Sequence, residues 1–255
     1  MENITGWKKI DRVTNKAVPL SAAQEKLLRQ YTVELQTHKP VQYVLQEAWF
    51  YKMKLYVDEN VLIPRPETEE LVQWLIAEAG SRKSEAERIL DIGTGSGCIA
   101  LALKKNLPAA EVYACDISEG ALVVAKRNAS DQQLKLQFLL LNILLKEERK
   151  QLPEFDILIS NPPYIPLHNK ATMSNNVINH EPHLALFVEN DDPLIFYRAI
   201  ADFSLSHLKK DGSIYLEIHE DLANEVIQLY NEKGYSKIEL KKDLQDKDRM
   251  LRIMW

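Results

Sequence analysis

Cysteine is scarce in this chain of 255 residues, with Cys98 and Cys115 its only two. Two thiols cannot build a disulfide framework, and neither has a second ligand nearby at zinc-site spacing. Both are expected to be small buried side chains, and no metal centre is expected. Long apolar runs are missing as well. Leu139 to Leu145, interrupted by Asn142, falls far short of the ~20 residues that cross a bilayer. The first residues, including Trp7-Lys8-Lys9-Ile10, hold no apolar signal core, so a soluble, cytoplasmic protein without a membrane partner is expected. Positive charge is not in excess: 32 Lys and Arg stand against 37 Asp and Glu, net −5. Residues 1–60 hold 9 basic and 7 acidic side chains (net +2), leaving 23 and 30 (net −7) for residues 61–255. A broad electrostatic hold on nucleic acid is therefore not expected.

What is present is 45 % hydrophobic and 27 % charged residues. That excludes a disordered chain and suffices for one large α/β domain, or a large domain with a small appendage. From Ser21 to Thr37 the spacing of Leu27, Leu28, Tyr31 and Leu35 predicts a helix behind a Ser21 cap. Gln42–Leu45, Glu47–Tyr51 and Lys54–Val57 read as short strands of a hairpin. After Pro64 and Pro66 a helix is expected to start near Thr68, with Glu67, Glu69 and Glu70 at its positive end.

Beyond Gly80 short β-rich runs alternate with amphipathic stretches. Strands are expected at Arg88–Ile92, Glu111–Cys115, Leu134–Leu140, Phe155–Ser160, Ser213–Ile218, Lys237–Leu240 and Met250–Met254. Helices are expected at 98–106, 119–129, 194–209 and 221–233. Such alternation predicts an α/β fold, a doubly wound and mainly parallel seven-stranded sheet with helices on both faces. The expected division is a small helical part at 1–40, a β-hairpin linker at 41–66, and the sheet domain at 67–255.

Three of only eight glycines fall in Asp91-Ile92-Gly93-Thr94-Gly95-Ser96-Gly97, between an expected strand and an expected helix. Glycines let a turn approach a ligand closely, and the helix behind it offers unpaired N–H groups. The dinucleotide pattern G-x-G-x-x-G would need a glycine at 98, where Cys98 stands. An acid at Asp91 would repel a phosphate but pair with a ligand amine. Asp116 follows Gly97 by 19 residues and closes the next strand, a placement suited to ribose hydroxyls. Asn142, at the end of the third strand, is a candidate for an adenine edge, with Ile117 and Ile143 on the ring faces.

The fourth strand runs into Asn161-Pro162-Pro163-Tyr164. Two prolines fix φ and hold the Asn161 side chain and the Pro162 carbonyl stiffly. Both are acceptors, and a planar NH2 group offers two donors. Tyr164 is a candidate to stack on a flat substrate group. His180-Glu181-Pro182-His183 has a metal-like composition, but without a third ligand it reads as a substrate-side loop.

Asp91-x-Gly-x-Gly-x-Gly97 with Asp116 resembles the binding signature of class I S-adenosylmethionine-dependent methyltransferases, whose sheet is Rossmann-like. Asn161-Pro162-Pro163-Tyr164 resembles the motif of those that methylate planar amino groups. Pro40-Val41-Gln42-Tyr43 and Leu62-Ile63-Pro64-Arg65-Pro66-Glu67-Thr68-Glu69 are similar to segments of the protein-(glutamine-N5) methyltransferases of the HemK/PrmC type; Gln46 stands where that family commonly has glycine. The resemblance implies transfer from S-adenosylmethionine, giving S-adenosylhomocysteine, to the glutamine of the Gly-Gly-Gln motif in class 1 peptide chain release factors, a step in translation termination. It also implies that Asp91, Gly93, Gly95 and Gly97 hold the methionine end of the cofactor, with Thr94 and Ser96 also binding the cofactor. Asp116 would hold the ribose, Ile117, Asn142 and Ile143 the adenine, and Asn161 would reach both cofactor and substrate. Asn161 and Pro162 would carry catalysis by positioning, with Pro163 and Tyr164 beside the substrate. Pro64 to Thr68 would close over the site, with Glu67 or Thr68 near the methionine moiety. A monomer is expected. The alternatives are a DNA amino-methyltransferase, which the negative charge of residues 61–255 opposes, and a non-catalytic S-adenosylmethionine-binding regulator, which has no need of Asn161-Pro162.

Overall fold

A computed structural model describes residues 1–79 and 87–255. Two short helices, α1 (Glu2–Thr5) and α2 (Lys9–Thr14), precede α3 (Ala22–Gln36). The Ser21 hydroxyl accepts the Gln24 N–H and the Gln24 side chain accepts the Ser21 N–H, a capping box that fixes where α3 begins. Its apolar face is only partly covered: Leu27 and Tyr31 are half-buried, while Leu28 and Leu35 are exposed.

Gln42–Leu45 is not a strand. Val41–Leu45 forms a helical turn, α4, because the Pro40 carbonyl accepts the N–H groups of Tyr43 and Val44. The same turn buries Tyr43, whose hydroxyl donates to the Val61 carbonyl at 2.6 Å. Only β1 (Ala48–Phe50) and β2 (Met53–Leu55) form the antiparallel hairpin. Helix α5 (Pro66–Ala79) starts two residues ahead of Thr68, with proline at its first position, where no N–H is needed.

The main sheet has seven strands in the order β10-β11-β9-β6-β3-β4-β5. They are β3 (Arg88–Ile92), β4 (Glu111–Asp116), β5 (Gln137–Leu140), β6 (Phe155–Ser160), β9 (Leu208–Glu217), β10 (Lys237–Lys242) and β11 (Asp248–Met254). From β5 to β9 the pairs are parallel, and β11 adds antiparallel to β9 and β10. Strand β5 is three residues shorter than expected because Leu134 N–H still closes the preceding helix onto Ala129, and β9 is five residues longer at its start.

Successive residues of the central strands alternate between two cores, as a sheet covered on both faces requires. Leu90, Ile92 and Leu158 pack with α10 (Ile195–His207) and α11 (Ala223–Glu232). Ile89, Ile157 and Ile159 pack with α5 and α6 (Cys98–Asn106). Ala129 of α7 (Glu119–Asp131) joins that second core. Smaller elements decorate this frame: α8 (Lys146–Arg149), α9 (Asn175–Ile178) and the two-residue pair β7 (Ile165–Pro166) and β8 (Phe187–Val188). Among the described residues no helix is long and apolar enough to cross a membrane.

Candidate active site

From β3 the chain moves outward to β4 and β5 on one side, and β6 lies on the other. The crevice at such a switch point opens above the carboxyl ends of the strands, where open α/β sheets hold ligands. A cleft of ≈ 1010 Å³, open solvent included, lies there. Gly93 and Gly95 after β3, Asp116 and Ile117 after β4, Asn142 and Ile143 after β5, and Asn161, Pro162 and Pro163 after β6 all line it. Asn60 to Leu62 and Pro182 close it from other parts of the chain. Asp91, Thr94, Ser96, Gly97 and Tyr164 do not line it.

The glycine turn needs its glycines for two different reasons. Gly93 and Gly95 have φ of 74° and 53°, and a Cβ on either would meet nothing within 4 Å. The turn there is backbone facing open space. Gly97, at φ 81°, would bring a Cβ to 3.2 Å from Ala125 Cβ, so its glycine lets the turn pack on α7. Asp91 stands behind the turn and is wholly buried. Its Oδ2 accepts the Thr94 hydroxyl at 2.6 Å and the Ala100 N–H at 3.2 Å, whereas Oδ1 is buried without a partner. Burial pushes this carboxyl up to about 7, against those two hydrogen bonds.

Asp116 grips the turn directly. Its Oδ2 accepts the Gly95 N–H and its Oδ1 the Ser118 N–H, each at 2.9 Å. Both oxygens keep further lone pairs for a ligand, and burial raises the carboxyl above its usual range. Asn142 does not end β5 but lies two residues beyond Leu140. Its Oδ1 accepts the Leu144 N–H at 3.0 Å. That fixes the side chain and leaves the NH2 group for the cleft. Ile117 is an exposed rim residue, whereas Ile143 is buried.

The Asn161 side chain is held from behind by residues the sequence did not reveal together. Its Nδ2 donates to Thr68 Oγ1 at 3.1 Å, and the Thr68 hydroxyl donates to Glu217 Oε2 at 2.6 Å. Tyr164 is part of the same cluster rather than a platform in the cleft. Its hydroxyl donates to Glu217 Oε1 at 3.4 Å and its ring meets His219 edge-on at 5.7 Å. Burial pushes the Glu217 carboxyl up to about 7. The signal that marks Asp91, an acid near the end of an apolar strand, also marks Glu217 after Ile214-Tyr215-Leu216.

Asn128 of α7 is a second residue the pattern hid. It donates to the carbonyls of Ser96 and Tyr56 and accepts the Tyr56 N–H, tying the glycine turn to the segment after the hairpin. The histidines of the 180–183 loop point elsewhere than at a metal. His180 Nε2 meets the Thr37 carbonyl and His183 Nε2 the Ile178 carbonyl. Glu181 pairs with Arg65 at 2.7 Å and accepts the Ile63 N–H. Among the described residues no group of three His, Cys, Asp or Glu is placed to hold a metal ion.

The chain has known relatives. Over 249 residues the chain is 45 % identical to the release factor glutamine methyltransferase of Flavobacterium psychrophilum, a match covering 96 % of this chain and 86 % of that one. This protein belongs to the release factor glutamine methyltransferase family. The enzyme of that name from Bacteroides thetaiotaomicron is 39 % identical, with 98 % and 88 % of the two chains covered. The family model described as methyltransferase small domain matches residues 68–184, from Thr68 through the glycine turn and Asn161. Among solved structures, the catalytic domain of human Mettl16 in complex with a MAT2A 3′UTR hairpin is similar in fold, with a TM-score of 0.62 at 17 % identity over 91 % of this chain and 90 % of that one. The 16S rRNA N2 G1207 methyltransferase of Thermus thermophilus, in complex with AdoMet and guanosine, has a TM-score of 0.58 at 18 % identity, covering 82 % and 49 %. These two share the fold of this Rossmann-like methyltransferase.

Proposed function

We propose that this protein transfers a methyl group from S-adenosylmethionine to the side-chain amide nitrogen, N5, of the glutamine in the Gly-Gly-Gln motif of class 1 peptide chain release factors. The single observation that carries the reading is the identity of 45 % and 39 % to named release factor glutamine methyltransferases across nearly the whole chain. The cleft suits the cofactor on its own chemistry. Open space lies over Gly93 and Gly95, Asp116 keeps spare lone pairs, and Asp91 holds the turn from behind through Thr94 and the Ala100 N–H. Gly93 and Gly95 would hold the methionine end, with Asp91, Thr94, Ser96 and Gly97 shaping the turn. Asp116 would hold the ribose, and Ile117, Asn142 and Ile143 the adenine.

When bound, S-adenosylmethionine supplies an activated sulfonium methyl. The chain's task is position. An amide nitrogen is a weak nucleophile because its lone pair is delocalised into the carbonyl. The Asn161 Oδ1 and the Pro162 carbonyl accept its two hydrogens, orient it towards the methyl and favour a more pyramidal nitrogen. Pro163 keeps Pro162 extended, so the two acceptors stay in place without reorganisation. No charged intermediate needs an oxyanion hole, and the proton lost by nitrogen passes to water.

The test is intact-mass measurement of a purified release factor incubated with this protein and S-adenosylmethionine, beside a factor whose Gly-Gly-Gln glutamine is replaced. One added methyl group on the unaltered factor alone supports the assignment. An unchanged mass for both factors, with cofactor binding intact, contradicts it.

A further inference from the structure

Glu217 closes β9, is only 2 % exposed, and does not line the cleft. Its link to the cleft runs through two hydrogen bonds, from Asn161 Nδ2 to Thr68 Oγ1 and from the Thr68 hydroxyl to Glu217 Oε2. That chain has a direction. An ionised carboxylate only accepts, so the one hydroxyl proton of Thr68 points to Glu217 and Thr68 can offer Asn161 only a lone pair. The NH2 end of the Asn161 amide is therefore drawn to Thr68, and Oδ1 is the end left for the cleft. Were Glu217 to donate instead, the Thr68 hydroxyl would be free to donate to Asn161 Oδ1. The amide would then turn its NH2 group to the cleft, where it would face the N–H donors of a substrate amide, an unmade pairing that costs binding at the reacting nitrogen.

We propose that Glu217 is a positioning residue for methyl transfer: through Thr68 it sets which end of the Asn161 amide faces the substrate. The inference rests on Asn161 being the partner of the substrate amide. The groups that face Glu217 are Thr68 and Glu67 on α5, Cys98 at the start of α6, Tyr164 after β6, Tyr197 on α10 and Arg249 on β11. Arg249, Thr68 and Tyr164 favour its ionised form, while Glu67 and above all burial oppose it. The direction of the chain is therefore poised to reverse as the pH falls through neutrality.

The experiment compares Thr68→Val, Thr68→Ser, Glu217→Gln and the double variant Thr68→Val/Glu217→Gln with the wild-type protein, using release factor and S-adenosylmethionine. Valine keeps the shape of threonine and removes the hydroxyl; serine keeps the hydroxyl. Thr68→Val is expected to lower kcat at least tenfold with the dissociation constant for S-adenosylhomocysteine unchanged, and Thr68→Ser to stay within threefold of wild type. The acid limb of the wild-type kcat profile is expected to disappear in Glu217→Gln, and the double variant to be no slower than Thr68→Val, since both act on one chain of bonds. A Thr68→Val protein with wild-type kcat, a Thr68→Ser protein as slow as Thr68→Val, or an acid limb retained in Glu217→Gln would overturn the proposal. A second readout does not depend on the substrate. With 15N-labelled asparagine and bound S-adenosylhomocysteine, the Asn161 side-chain amide signals should titrate near neutral pH in the wild type and stay fixed in Glu217→Gln. Signals that titrate alike in both proteins overturn the positioning role even if transfer to a release factor is never seen, and such missing transfer counts against the function alone.

Discussion

The Asp116 carboxylate accepts the backbone N–H of Gly95 at 2.9 Å, so the acid proposed for the ribose also fixes the turn proposed for the methionine end. The two halves of the proposed cofactor site are joined by one side chain. Asp116→Ala removes the acceptor for both Gly95 and Ser118. It should weaken S-adenosylmethionine binding by at least tenfold in isothermal titration. A variant that binds as tightly as wild type removes Asp116 from the site.

Asn128 is buried and makes three hydrogen bonds to backbone groups of Ser96 and Tyr56. Asn128→Ala leaves those groups without partners and should cost roughly 2–4 kcal/mol of unfolding free energy. Denaturant titration reads the loss as a lower midpoint at unchanged slope.

Gln46 ends α4 with φ 52°, in the left-handed region. A side chain there is strained by roughly 1–2 kcal/mol, partly offset by the entropy a glycine loses on folding. Gln46→Gly should therefore stabilise the protein by about 0.5–1 kcal/mol, seen as a raised Tm. A lowered Tm would mean that the Gln46 side chain contributes more than its strain costs.

Glu217 has an ordinary value of 4.5 and is pushed up to about 7 by burial. A carboxyl raised in the folded state favours folding while it is protonated, and that contribution is lost as pH rises from about 4.5 to about 7. Glutamine carries no such titration. Relative to wild type, Glu217→Gln should thus gain stability across that window, by up to roughly 3 kcal/mol. Melting curves of both proteins between pH 5 and pH 8 test the sign, and a difference that shrinks with rising pH would contradict it.

Where several signals agreed, the sequence was a good guide. Arg88–Ile92, Phe155–Ser160 and the helix at 98–106 fall where apolar runs, turn residues and glycine spacing all pointed. Gln42–Leu45 misled because four residues are too few to separate period 2 from period 3.6, and the deciding bonds come from the Pro40 carbonyl. That Asp116, Asn142 and Asn161 share one cleft was legible because a parallel sheet sends its carboxyl ends, and the first residues beyond them, to one rim. Glu217 sits on that rim too, but its meaning lies in Thr68, 149 residues away in the chain. Tyr164 was placed beside the substrate because an aromatic next to a proline pair looks like a platform; a buried carboxylate draws its hydroxyl away instead.

The most direct measurement follows the methyl group itself. Release factor is treated with this protein and S-adenosylmethionine carrying a deuterated methyl, digested, and the Gly-Gly-Gln peptide fragmented in the mass spectrometer. Wild-type protein should place the label on the glutamine side chain and Asn161→Ala should leave the peptide unlabelled while still binding cofactor. Label on another residue, or equal labelling by Asn161→Ala, would contradict an Asn161-centred glutamine methyltransferase.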